Sequence, residues 1–344
     1  MTLKIKDIAQ LANVSISAVS LALNNKPGVS PKTKEKILDI VRNQGYIPRS
    51  SHQAEPQSGK KIVSVVACTN PGIIIEGFET LPFFTELIRH IGEDLSSNGY
   101  SQMLSTFNLD NLHEEIKGFS RSSEGNGVIL LGSDLSREEV AYIADHLPKI
   151  IVLDTTFEML NVDFVNVNNS LGVYQAANHF VEMGHTRIGY VQSTVRIQNF
   201  NARKAGFLDA LKEKNLTIGK NDYFDLHPSI PVAQELFMSK VANRLGDLPT
   251  ALFCESDFLA ISLIKSLTEL GIKIPEDISI IGFDDIPEAR IISPELTTIH
   301  VPKERIAALA VDRIIELMNN PLSKPIKVGV DTMLVERKSC RKIN

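Results

Sequence analysis

The chain has 344 residues, 43% hydrophobic and 22% charged, which provides for roughly two or three domain-sized cores. No apolar run approaches the roughly 18 residues of a membrane span, the opening MTLKIKDIAQ is too charged for an export signal, and Cys68, Cys254 and Cys340 lack the spacing of a disulfide framework or a zinc site. The net charge of −5 argues against a nucleic-acid partner only until it is resolved along the chain: residues 1–60 hold nine Lys/Arg against four Asp/Glu, the remainder 27 against 37.

These features predict a cytoplasmic protein without metal, cofactor or membrane contact, and they place any DNA contact at the basic amino end. The first elements there are short helices. Ile8, Leu11 and Ala12 fall at helical spacing in KDIAQLA, and Asn13-Val14 supply a turn. Ser15 can cap a second helix over 16–23, with Val19, Ala22 and Leu23 inward. Ser30 and Pro31 open a third, with Ile37, Ile40 and Val41 as its buried stripe and Gly45 as its stop. Two short helices across a tight turn make a helix-turn-helix, and Lys6, Lys26, Lys32, Lys34 and Arg49 could meet phosphates. A small helical bundle with a solvated charged face has the same spacing, so spacing alone leaves both readings open.

The stretch IKDIAQLANVSISAVSLALNNKPGVSPKTKEKILDIVRNQGYIP resembles the DNA-binding headpiece of the lactose-repressor (LacI/GalR) family. The resemblance implies that the helix after Val14-Ser15 enters the major groove of double-stranded operator DNA. Ile16 and Ser17 would lead, followed by Ala18, Ser20, Leu21 and Asn24, while Ser15, Thr33 and Tyr46 match phosphate contacts. No Arg, Gln or Asn lies between positions 15 and 21, so bidentate base contacts are missing. Readout would rest on Ile16 and Ala18 against thymine methyls and on the hydroxyls of Ser17 and Ser20; Leu21 stands where the family often has Arg.

The headpiece is set at residues 1–48 and a hinge or linker at 49–61; PRSSHQAEPQSGKK, residues 48–61 across that boundary, is polar and holds two prolines. In the resembled family this stretch folds into a hinge helix on DNA and wedges a leucine into the minor groove. The matching residue here is Glu55, followed by Pro56, so the wedge is absent and a plain tether is the competing reading.

From Ile62 onward, β-rich apolar runs at 62–67, 101–105, 128–131, 150–153, 188–191, 251–254 and 278–281 alternate with helical stretches such as 83–97, 171–183 and 258–270. So many strands suggest two doubly wound lobes with a ligand in the crevice at their strand ends. The resemblance continues through LPFFTELIRHIGEDLSSNGY, NNSLG, HFVEMGHTRIGYV, NARKAGFLDAL and ALFCESDFLAISLIKSLTELGIKIPEDISIIGFDDI. It implies a periplasmic-binding-protein-like core whose chain crosses between lobes near 168, 298 and 329. The amino-terminal lobe is then 62–168 with 298–329, and the carboxy-terminal lobe 169–297 with 330–344.

The resemblance further implies that Arg203 clamps the effector, with Asp257 and Asp284 as carboxylates accepting its hydrogen bonds. A guanidinium beside paired carboxylates suits vicinal hydroxyls. Phe84, with Phe83, offers a stacking surface, and Asp154 and Ser256 are further candidates. His179 and His185 are not at metal-ligand spacing and read as structural. Residues 70–80 lengthen the first crossover loop.

The expected fold is thus an all-α helix-turn-helix headpiece followed by an α/β periplasmic-binding-protein-like core of two doubly wound parallel-sheet lobes. An enzyme would need a catalytic constellation, and no GxxxxGK[ST], GxSxG or HExxH occurs. Asp284 and Asp285 are adjacent as they leave a strand and point apart, which disfavours a shared metal. A solute receptor would share the lobes but not the basic headpiece. The resulting expectation is a homodimeric repressor of carbohydrate-utilisation genes, released from its operator by a sugar. A purine, nucleoside or protein corepressor on the same scaffold is the alternative.

Overall fold

The computed structural model describes residues 5–23, 29–43, 61–69, 77–78, 81–122, 125–228 and 233–343. It divides into two units, Met1–Lys60 and Lys61–Asn344. The first unit holds α1 (Ile5–Ala12), α2 (Ile16–Leu23) and α3 (Pro31–Asn43). Asn13 takes a positive φ of 55°, and Val14 N donates to the Ala9 carbonyl across it, which closes α1 in the left-handed capping manner. Ser15 Oγ then accepts from Ala18 N at 3.1 Å, and Ser30 Oγ from Thr33 N at 3.2 Å, so both helices begin on the hydroxyls their sequence supplies.

The small core comprises Ala9, Ala12, Val19, Ala22 and Ile37. Leu11, which shares the apolar spacing of α1, is 53% exposed, because the inward stripe runs through Ala9 and Ala12. Gly45 lies outside the described residues, as do Glu55, Pro56 and the hinge they belong to. Of the loop over 70–80, only Gly77 and Phe78 are described, and Phe78 is buried.

The second unit contains two six-stranded sheets. The first has the order β11-β5-β4-β3-β1-β2, with β1 (Ile62–Thr69), β2 (Ser101–Asn108), β3 (Gly127–Leu131), β4 (Ile150–Leu153), β5 (Asp163–Val167) and β11 (Lys327–Val330), all parallel. The second has the order β12-β10-β9-β8-β6-β7, with β6 (Ile188–Ser193), β7 (Tyr223–Leu226), β8 (Ala251–Cys254), β9 (Ser279–Asp284), β10 (Thr297–His300) and β12 (Met333–Val335). Only β12 is antiparallel in it.

Central strands such as β3 and β8 are buried throughout, as sheets covered on both faces require. The helices α4 (Pro82–Ser97) and α11 (Lys303–Asn319) pack together over the first sheet, with α5 (Leu112–Ser122) and α6 (Arg137–His146) as a second pair. In the second lobe α7 (Asn169–Glu182) packs on α8 (Gln198–Glu213), and α10 (Asp257–Glu269) on α9 (Glu235–Ala242). Pro82 opens α4, Phe84, Leu87, Ile91 and Leu95 form its buried stripe, and Gly99 at φ 79° ends it.

The chain passes from β5 directly into α7, from β10 into α11 and from β11 into β12. The second passage corrects the boundary expected near 298. Thr297–His300 pair in parallel with β9, so residues 298–300 belong to the second lobe and the crossing comes after His300. The third passage comes after Val330, one residue past the expected 329. No helix among the described residues is long and apolar enough to cross a membrane.

Candidate functional site

Both sheets reverse their strand order beside their first strand, the arrangement that opens a crevice at the carboxyl ends. A cavity lies there between the lobes. The first lobe contributes Leu81, Phe83 and Phe84 from the start of α4 and Asp154 from the end of β4. The second contributes Ile197, Asn199, Phe200 and Arg203 around α8, Ser256 and Phe258 around the start of α10, and Pro228 and Asp284.

Arg203 is 3% exposed, and each of its guanidinium nitrogens has a partner. Its Nε donates to Asn169 Oδ1 at 2.9 Å, Nη1 to the Glu255 carbonyl at 2.5 Å, and Nη2 lies 3.3 Å from Asp284 Oδ1. Its guanidinium carbon sits 3.6 Å from the centre of the Phe283 ring, a stacked cation on an aromatic face. Gly172 leaves room for that ring, since any Cβ there would collide with it. Burial raises the Asp284 carboxyl above the ordinary range, while Arg203 and Lys303 pull it back down. Lys303 Nζ also donates to the Asp284 carbonyl at 3.1 Å and pairs with Glu86 at 3.1 Å.

Asp154 faces this group from the other lobe. Its carboxylate takes the Ser133 hydroxyl on one oxygen and Asn199 Nδ2 on the other at 2.7 Å, and Asn199 also reaches its carbonyl at 2.9 Å. Asn199 Oδ1 accepts from Asn166 and Asn169, each at 2.9 Å, so one amide joins β5, α7, α8 and the end of β4. Burial pushes the Asp154 carboxyl up to about 7, against the Ser133 hydrogen bond and the Arg203 charge. Asp154 and Asp284 both hold positive φ, 60° and 115°. Such backbone is costly for a non-glycine residue and concentrates at functional sites.

The cavity thus gathers Phe84, Asp154, Arg203, Ser256 and Asp284. Asp257 is the exception. It is fully buried beside the first turn of α10, accepting from Thr298 Oγ1 at 2.5 Å and Ile286 N at 3.0 Å. A side chain at Gly282 would collide with its Oδ1. Asp257 therefore ties strand ends together and does not line the cavity where the effector was expected to meet it. Ser256 Oγ caps α10 at Leu259 N while lining the cavity. Sequence reasoning missed Asn169, Asn199, Ser133 and Lys303; the four-residue step from Asn199 to Arg203, one helical turn on α8, was the available signal for one of them.

In the headpiece, Ala18 and Leu21 are half-exposed on α2, and Ser15 is exposed while capping it. The Thr33 hydroxyl is engaged by Ser30 Oγ at 2.8 Å. Lys6 lies in α1 and Ile16, Ser17 and Ser20 in α2, with their side chains outside the described residues, as are Asn24, Tyr46 and Arg49 entirely.

Residues 4–49 match the model for bacterial regulatory proteins of the lacI family, and residues 177–340 that for a periplasmic binding protein-like domain. The HTH-type transcriptional regulator MalR of Clostridium butyricum is 30% identical over 98% of this chain and 99% of its own. This chain belongs to the LacI family. It is a DNA-binding transcriptional regulator with a helix-turn-helix headpiece and a two-lobed core. The ribose operon repressor of Haemophilus influenzae is 30% identical over 92% of each chain. A LacI family regulator from Enterococcus faecium, solved with bound ribose, superposes at a TM-score of 0.67 with 26% identity, covering 83% of this chain and 100% of that one.

Proposed function

We propose that this LacI-family member is a cytoplasmic homodimeric repressor of carbohydrate-utilisation genes, and that a sugar held between the lobes releases it from its operator. One observation carries the reading. The buried Arg203, its partly buried partner Asp284 and the Asp154 carboxyl converge on a cavity whose remaining wall is largely aromatic and aliphatic. Hydroxyls need donors and acceptors in close array, and a sugar ring otherwise offers apolar C–H faces. The ribose carried by the Enterococcus faecium relative supports the same class.

In this mechanism Arg203 and Asp284, both on the second lobe, take the first hydroxyls. Asp154 and Phe84 meet the ligand from the first lobe, so binding changes the balance between open and closed lobes. Each protomer presents a headpiece to one half-site, with Ile16, Ser17, Ala18, Ser20, Leu21 and Asn24 toward the bases and Lys6, Ser15, Thr33, Tyr46 and Arg49 toward phosphates. The test is an operator selected from random duplexes, then anisotropy titrations with and without mono- and disaccharides. A saccharide should weaken binding by about 5–150-fold. Tightening by a ligand would replace induction with corepression, and a response to purines alone would remove the sugar.

A further inference from the structure

The cavity has one cation among the described residues that line it, and that cation is already matched. Arg203 spends Nε on Asn169 and Nη1 on the Glu255 carbonyl, lies against the Phe283 ring, and faces Asp284 with its remaining nitrogen at 3.3 Å. The neighbouring cations are matched as well. Lys303 is 4% exposed and pairs with Glu86, and Arg196 pairs with buried Glu255 at 2.6 Å.

Asp154 is the opposite case. It receives only neutral donors, the Ser133 hydroxyl and the Asn199 amide, and no ion pair reaches it among the described residues. We infer that the cavity selects an uncharged, hydroxyl-bearing ligand and rejects the phosphorylated or acidic form of the same molecule, with Asp154 as the residue that enforces the choice.

The charge balance supports this in either protonation state. With Asp154 protonated, Arg203 and Asp284 cancel; with it ionised, the cavity is negative. The charged groups acting most strongly on Asp154 are Arg203 from α8, Asp284 from the end of β9 and Asp134 beyond β3, and two of the three are acidic. An entering phosphate or carboxylate would sit among carboxyls with no unmatched cation among the described residues lining the cavity, which weakens binding on the order of 100-fold. A hydroxyl meets no such penalty, because it donates to the ionised form and accepts from the protonated one. Phe83, Phe84, Phe200, Phe258 and Ile197 then cover the apolar face of the ring.

The inference rests on the cavity being the effector site, and matched probes separate the two claims. The full chain would be titrated at pH 7.5 by calorimetry and thermal shift with glucose, glucose 6-phosphate and glucuronate; ribose and ribose 5-phosphate; cellobiose and its 6′-phosphate; and inosine and inosine monophosphate. A neutral sugar should bind, with its charged partner about 100-fold weaker, and D154N should narrow that gap by about tenfold. A phosphorylated or acidic sugar that binds as tightly as its neutral form overturns the inference and leaves the sugar reading intact. Inosine as the sole neutral ligand, with its monophosphate rejected, sinks the sugar reading and upholds the charge selection.

Discussion

The two lobes share a strand order, but they bring unlike chemistry to the cleft. The first meets it with Leu81, Phe83, Phe84 and a single carboxyl, while the second supplies a guanidinium, a carboxylate, an amide and a hydroxyl. The difference lies in the loops and helix starts at the strand ends, since the backbone frame is repeated. It also separates what is preset from what depends on closure. Arg203 and Asp284 are held by Asn169, Glu255 and Phe283 within the second lobe and at its boundary, whereas Asp154 reaches α8 only across the cleft, through Asn199.

The comparison breaks most visibly at Arg203. R203A should destabilise by about 3 kcal/mol, because it leaves the partly buried Asp284 without its guanidinium partner, and should abolish ligand-linked stabilisation. Denaturant unfolding with and without saccharide measures both, and an unchanged ligand response would remove the clamp from the second lobe. F84A tests the first lobe. Its ring is 4% exposed in the core, so truncation should cost about 3 kcal/mol and weaken saccharide binding about tenfold.

The Asp154 carboxyl gives a pH signature. Its folded value, about 7, lies above the ordinary aspartate value of 3.8, so the folded state holds this proton more tightly. The associated stability is fully present below pH 4 and is lost as pH rises toward 7. The melting temperature of wild type relative to D154N should therefore fall across that window and level off above it; a flat or rising difference would place Asp154 in a solvated, ionised setting. The smallest effect belongs to Asp257. The amide of D257N keeps both contacts, its Oδ1 accepting from Ile286 N and its Nδ2 donating to the Thr298 hydroxyl. Stability should change by less than about 1 kcal/mol and saccharide affinity by less than about twofold. A large loss of affinity would return Asp257 to the cavity.

Much of the architecture was legible in the chain itself. The caps Ser15 and Ser30 announced α2 and α3, and the apolar runs at β4 and β8 matched their strands end to end. The strands that escaped are short or alternate with polar residues, such as Thr297–His300 in β10 and Lys327–Val330 in β11, where pairing with neighbours supplies the order that composition does not. That omission also displaced the second lobe crossing. At the site, Asp154 and Ser256 just beyond strands and Asp284 at the end of β9 were readable because the family resemblance marked Asp284 and the fold class fixes where strand ends go. Asn199 and Ser133 acquire their place only when α8 meets the first lobe, and Asp257 was expected to accept from the effector until its burial against Ile286 and Thr298 showed where it turns.

The central claim is that the cleft and the DNA-binding headpiece are energetically coupled, and linkage makes that coupling reciprocal. Calorimetric titration of the saccharide into free protein and into the saturated operator complex tests it most directly. The account predicts weaker saccharide binding to the complex, by the same factor, about 5–150-fold, by which saccharide weakens operator binding. Equal affinity for the free and operator-bound protein would contradict it.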